Sequence, residues 1–100
     1  MGASAELAQE LIALFQEDVP ARLDLLKAAL AGGDAGQALA EAHQLKGSLG
    51  NLGLLRFADL AARLEALVRE GRLDLAPALA DAMPGAYAEA LRALQDAFPA

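Results

Sequence analysis

The stretch of sequence that decides the fold runs from Asp34 to Gly53 and reads DAGQALAEAHQLKGSLGNLG. At about 100° of rotation per residue, its apolar side chains at positions 38, 42, 45 and 49 fall on one face of a helix. Asp34 can accept hydrogen bonds from the free amides of the first turn, and the late glycines favour an end to the helix. The stretch therefore predicts an amphipathic helix that begins after Asp34 and ends between residues 50 and 53.

His43 is the only histidine in the chain, and it lies outside the apolar face of this helix. It projects about 100° or more from the centre of that face, so we expect the imidazole to reach water. Its neighbours on the helix surface are small: Ala40, Gly47 and Gly50. Because a glycine inside a helix costs about 1 kcal/mol relative to alanine, we expect Gly47 to give a partner close access to the ring. The alternative is that Gly47 lets a neighbouring helix pack closely.

The segment before Asp34 has apolar residues at steps of three and four from Leu7 to Leu30, the pattern of an amphipathic helix. The phase of this pattern continues across Pro20. It therefore indicates either two nearly collinear segments, the second capped by Asp18, or one bent helix.

Two more amphipathic segments follow the His43 helix. One covers about residues 57–68 and should end at Gly71. The other begins after residue 74 and should kink at Pro84, because proline removes a backbone donor. Short connections make neighbouring helices antiparallel, so the sequence predicts an all-α fold: an up-down-up-down four-helix bundle with a divided or kinked first helix.

Composition supports this fold class and excludes several functions. The 100 residues include 26 Ala and 21 Leu, which favour helices, and the length fits a single domain. With no cysteine and one histidine, we expect no metal site. We also expect no cofactor. The net charge of −6 argues against nucleic-acid binding. Lacking a long apolar stretch or a signal sequence, the chain is expected in the cytoplasm.

The motifs around His43 together give a specific pattern. They are Ala42-His43, Leu45-Lys46-Gly47-Ser48, the turn Gly50-Asn51-Leu52-Gly53, and Leu60, Leu64-Glu65 and Gly71-Arg72 further on. Over residues 34–72 this pattern resembles the histidine-containing phosphotransfer (HPt) domains of bacterial multistep phosphorelays. The sequence departs from the family at Leu54, where a small residue is common, and at Ala61 or Ala62, where a cysteine is frequent. Both departures are expected on packing surfaces.

The resemblance implies that residues 1–100 form one HPt domain in which His43 is the phosphoacceptor. His43 would take a phosphoryl group from an aspartyl phosphate on a receiver domain and pass it to another receiver aspartate. An unperturbed imidazole, with a pKa of about 6.5, is mostly neutral and nucleophilic near neutral pH. In the family, the metal ion and the acidic pocket belong to the receiver domain, so we expect a phosphotransfer carrier rather than an enzyme.

Lys46 lies about 60° around the helix from His43, and we expect its ammonium group to stabilise the phosphoryl oxygens. A plain solvated lysine is the alternative. The receiver is expected to dock on the exposed faces around the histidine, with contacts from Leu39, Ala40, Gln44 and Gly50 in addition to access over Gly47. The alternatives are that Gln44 is an ordinary exposed helix residue and that Leu39 belongs to the core. Arg56 and Arg63 could meet acidic groups of the partner or form ordinary salt bridges within their own helix.

Two other functions, a binding module that accepts no phosphate and an autonomous enzyme, explain fewer of the sequence features around His43. An HPt-like bundle could bind a receiver domain, or its own copy, without accepting phosphate, and His43 would then be a surface histidine without chemistry. Autonomous kinase or phosphatase activity lacks support, because the sequence has no glycine-rich nucleotide loop and no cluster of catalytic acids. We expect a monomer, since an HPt domain needs no dimer to expose its imidazole.

Overall fold

Four α-helices follow one another along the chain: α1 (Gly2–Ala31), α2 (Ala35–Asn51), α3 (Leu55–Arg69) and α4 (Ala76–Ala97). They come from a computed structural model that describes residues 2–52 and 54–99, with side chains from residue 6 onward. Each helix packs against two neighbours, in the order α1, α2, α3, α4 and back to α1. The predicted all-α four-helix bundle is confirmed.

The bundle is held together by apolar side chains from all four helices. Leu26, Leu45, Leu49, Leu64 and Met83 are the largest side chains that are fully buried. Alanines such as Ala42 and Ala61 are also completely buried, which lets the helices approach closely. Ala61 therefore lies on a packing surface, as the sequence predicts.

Short turns connect the helices and set their antiparallel order. The α1–α2 turn contains Gly33, whose φ of 72° is a left-handed conformation that favours glycine, and Gly71 after α3 has a φ of 77°. The side chain of Asp34 accepts a hydrogen bond of 3.0 Å from the backbone amide of Gln37, so the predicted cap of α2 is present. Gly53, the last glycine of the predicted α2–α3 turn, lies outside the described residues.

Both internal prolines lie within continuous helices. α1 runs through Pro20, so of the two predicted alternatives the single helix is correct and the two separate segments are wrong. α4 likewise runs through Pro84 without interruption. Asp18, expected as a cap at such a division, instead forms a salt bridge of 2.9 Å with Arg22, one turn further along α1. An interior proline costs about 3 kcal/mol, because it lacks one hydrogen bond and its ring clashes with the preceding turn. The burial of apolar residues on both sides of each proline offsets this cost.

The first and last helices, α1 and α4, are longer than α2 and α3. α1 has 30 residues and α2 has 17, so roughly the first 13 residues of α1 extend past the end of α2. There Gln9 of α1 donates a hydrogen bond to the carbonyl of Phe98, the residue that follows α4. Next to this end, Phe15 of α1 and Tyr87 of α4 stack with ring centroids 5.3 Å apart. Leu7, Leu11 and Leu14 are more than two-fifths exposed on this two-helix end.

None of the described helices is both long and apolar enough to cross a bilayer.

Candidate functional site

His43 lies near the middle of α2, in the part of the molecule where all four helices are present. The core face of α2 is formed by Ala38, Ala42, Leu45 and Leu49, all of them fully buried. The helix therefore directs His43 away from the core, and 65% of its side chain is exposed. The predicted access of the imidazole to water is confirmed.

Glu65 on α3 fixes the inner edge of the imidazole. Its Oε2 atom lies 2.9 Å from Nδ1 of His43. Although it belongs to a charged residue, the Glu65 side chain is only 10% exposed. The contact joins two residues that are 22 positions apart in sequence, and it ties the histidine to the neighbouring helix.

The second carboxylate oxygen of Glu65 accepts hydrogen bonds from two cationic side chains. Nζ of Lys46 donates a hydrogen bond of 3.1 Å to Oε1, and Nη2 of Arg69 donates one of 3.2 Å to the same atom. Burial of Glu65 acts to raise its pKa, but the hydrogen bonds from Lys46, His43 and Arg69 outweigh it, so the pKa of Glu65 is lowered. Glu65 is therefore ionised at neutral pH.

The ionised carboxylate determines which ring nitrogen of His43 is available for chemistry. A carboxylate can only accept hydrogen bonds, so its contact with Nδ1 requires that Nδ1 carry the proton when the imidazole is neutral. Nε2 then holds the lone pair. Among the described side chains, the contact at Nδ1 is the one hydrogen bond to the ring, and the nucleophilic nitrogen is left for an incoming group.

The surface around His43 is low and open. A β-carbon at Gly47 or at Gly50 would have no atom of another residue within 4 Å beyond the adjoining helix backbone. Close packing of a neighbouring helix therefore does not explain Gly47, and that alternative is wrong. Ala40 and Gln44 are exposed beside these glycines, whereas Leu39 is half-buried and packs against the core.

A comparison with known families agrees with this geometry. The family model for the Hpt domain matches residues 10–97. The chain belongs to the HPt domain family. HPt domains are phosphotransfer carriers of two-component phosphorelays, they are not kinases, and they generally interact with receiver domains. No curated protein and no solved structure matches the chain significantly.

Other sequence-predicted contacts of this HPt domain lie away from His43. Arg63 forms a salt bridge of 2.8 Å with Asp59 on its own helix, which is the ordinary alternative weighed for it. Arg56 and Arg63 both line a groove of about 530 Å³ between α3 and α4, whereas His43 lies on the seam between α2 and α3. Within the described part of the chain, no group of three or more potential ligands is arranged for a metal ion.

Sequence reasoning missed Glu65 and Arg69 as members of the site. Glu65 appears in the sequence only as part of the family pattern, and Arg69 has no motif around it. One signal was present: Glu65 falls one residue after the buried Leu64, at the margin of the apolar face of α3, where a carboxylate needs a partner. Which residue of α2 supplies that partner depends on how the two helices are aligned.

Proposed function

We propose that His43 accepts a phosphoryl group from the aspartyl phosphate of one receiver domain and passes it to an aspartate of another. The observation that carries this proposal is the exposed imidazole whose Nδ1 is held by an ionised, buried Glu65. When it is neutral, such a ring presents the nucleophilic lone pair of Nε2 in a fixed orientation. Orientation is the main requirement of phosphoryl transfer, which depends on in-line approach and charge neutralisation.

Transfer to His43 needs no proton to move. The Nε2 lone pair attacks phosphorus, a phosphorus–nitrogen bond forms, and the bond from phosphorus to the aspartyl oxygen breaks, releasing a carboxylate on the receiver. The ring keeps its proton on Nδ1 and gains positive charge, which the carboxylate of Glu65 stabilises at 2.9 Å. Transfer to the next receiver reverses these steps, so the same contact serves both directions.

Lys46 supplies the cation for the transferred group in this proposal. It lies on the same helix as His43, and its side chain is 40% exposed. The ammonium group binds Glu65 in the structure, so it would turn from Oε1 of Glu65 toward the phosphoryl oxygens when His43 is modified. We expect Lys46→Ala to slow transfer and to shorten the lifetime of the phosphohistidine. Unchanged values for both would remove Lys46 from the site.

The receiver docks on the open surface of α2 in this proposal, with Ala40, Gln44, Gly47 and Gly50 as contacts. All four residues are exposed and surround His43. Leu39 contributes only at the edge, because it is half-buried against the core. We further propose that residues 1–100 act as one HPt domain, as a monomer in the cytoplasm, and without a cofactor of their own.

The test is transfer from phosphorylated receiver domains. A panel of purified receivers carrying labelled aspartyl phosphate is mixed with the protein, and the protein is analysed for acid-labile, alkali-stable label. We expect rapid labelling of the wild type and none of His43→Gln. Label that persists in His43→Gln would refute the site, and absence of label from several competent donors would refute the function.

The same variants distinguish a carrier from a binding module. If the chain only binds receivers, wild type and His43→Gln will both form the complex and neither will take up label. If it is a carrier, His43→Gln will still bind, because its open surface is unchanged, but it will not accept phosphate.

A further inference from the structure

Two cationic side chains bind the single carboxylate of Glu65, one more than its charge of −1 requires. Both Lys46 and Arg69 donate to Oε1, while Oε2 serves His43 alone. With a neutral imidazole, one carboxylate and two cations give this cluster a net charge of +1. The surplus cation is available for a second anion, and the phosphoryl group on His43 would be that anion.

The burial of Glu65 explains why two cations are needed. Its side chain is only 10% exposed, and leaving a buried charge without a partner is strongly unfavourable. If Lys46 were the one cation on Oε1, moving it to the phosphoryl group would leave that oxygen without a partner, and only the contact of Oε2 with the ring would remain. Arg69 stands on α3, one helical turn after Glu65, and does not have to move with the phosphoryl group.

We infer that Arg69 is the reserve counter-ion of Glu65, which keeps Oε1 paired when Lys46 turns to the phosphoryl group on His43. This inference rests on the proposed function. Arg69 is thus a positioning residue: it touches no reacting atom, but it allows Lys46 to leave Glu65 while Glu65 still holds Nδ1. In the unmodified protein, either cation alone suffices to keep Oε1 paired.

The test uses phosphoramidate as a chemical donor, so no receiver is needed. Its phosphorus–nitrogen bond breaks, ammonia leaves, and the phosphoryl group bonds to Nε2 of His43. The decay of the phosphohistidine is then followed by ³¹P NMR in four proteins: wild type, Arg69→Ala, Lys46→Ala and the double variant. We expect each single variant to shorten the half-life about five-fold, the size of a lost charge contact worth ~1 kcal/mol at a partly exposed site.

The double variant is decisive. Because Arg69 acts only by releasing Lys46, the double variant should decay no faster than Lys46→Ala alone. If Arg69 instead attracted the phosphoryl group directly, the two effects would multiply and the double variant would decay about 25-fold faster than wild type. That result, or a half-life of Arg69→Ala equal to wild type, would overturn the inference.

Ring ¹⁵N NMR of His43 in the unmodified protein gives a second readout. In each single variant the neutral ring should keep its proton on Nδ1, because one cation still binds Oε1 and holds the carboxylate of Glu65 in place. A proton that moves from Nδ1 to Nε2 in Arg69→Ala alone would contradict the assigned reserve role.

Arg63→Ala is the matched control, because Arg63 also lies on α3, pairs with an acid one turn away and is 68% exposed, against 62% for Arg69. It should behave as wild type, and Arg69→Lys should restore the half-life. If phosphoramidate labels His43 in the wild type but the half-life of the phosphohistidine is the same in Arg69→Ala, this inference is refuted and the proposed function is not. If neither phosphoramidate nor the panel of phosphorylated receivers labels His43 in the wild type, the proposed function fails and this inference fails with it.

Discussion

Replacement of Gly47 by alanine should make the protein more stable and a poorer phosphoryl carrier. The β-carbon of alanine would meet no other residue within 4 Å, so the folded state accommodates it without strain. Alanine in place of glycine inside a helix is worth about 0.5–1 kcal/mol. For a domain of this size, each kcal/mol of added stability raises the melting temperature by about 4–8 °C, so we expect a rise of about 2–8 °C.

The same methyl group would stand in the way of the receiver. Gly47 lies one turn after His43 on the open surface of α2, and a β-carbon adds about 1.5 Å of height there. The reacting atoms must approach to about 3–3.5 Å, and a misplacement of about 1 Å can cost 100-fold in rate. We therefore expect Gly47→Ala to slow transfer from a phosphorylated receiver by about 10- to 100-fold.

Thermal unfolding followed by circular dichroism measures the first effect, and rapid-quench transfer from a labelled receiver measures the second. Gly85→Ala is the matched control, because Gly85 is also inside a long helix with open space at its β-carbon, but on α4. It should raise the melting temperature without slowing transfer. Transfer at the wild-type rate in Gly47→Ala would refute the assignment of Gly47 to partner access, and a lower melting temperature would refute the open surface.

Three further changes test the site and the fold. Glu65→Gln should lower the free energy of unfolding by about 1–2 kcal/mol at neutral pH and by less at about pH 3. The pKa of Glu65 is lowered in the folded state, so the ionised side chain stabilises the fold above the ordinary pKa of 4.5 and loses this effect as the pH falls. Equal differences at both pH values in urea titrations would contradict this. Asp34→Ala removes the cap of α2 and should cost about 1 kcal/mol, seen as a lower urea midpoint with an unchanged slope. Leu45→Ala empties a fully buried position and should cost about 2–5 kcal/mol, while transfer by the molecules that remain folded stays near normal; a cost under 1 kcal/mol would place Leu45 outside the core.

The helices and the exposure of His43 were predictable because both follow from positions along a single helix. Asp34 caps its own first turn, and the place of His43 outside the apolar face needs only the rotation per residue. The prolines were harder, because local rules weigh the missing hydrogen bond at Pro20 without the packing of Phe15, Val19 and Leu23 around it. Those buried contacts keep α1 continuous.

The ion pairs of the site could not be predicted, since they depend on how two helices are aligned. Glu65 reaches His43 only because α2 and α3 pack antiparallel at one particular register, and a shift by one turn would pair it elsewhere. Lys46 was expected beside the phosphoryl group, and its contact with Glu65 becomes visible only in the folded chain. A sequence reports which side chains share a helix face, but not which faces meet.

The extra length of α1 and α4 gives the molecule a gradient of local stability. Leu7 and Leu11 lie on the part of α1 that extends past α2 and are about half exposed, whereas Leu45 is fully buried on α2, which packs against both α1 and α3. Amide hydrogens of the two-helix end should therefore exchange with solvent through small local openings, and those of mid-α2 mainly through global unfolding. Fraying at that end can then proceed without disturbing the imidazole, so the chemistry of the domain is insulated from its least protected region.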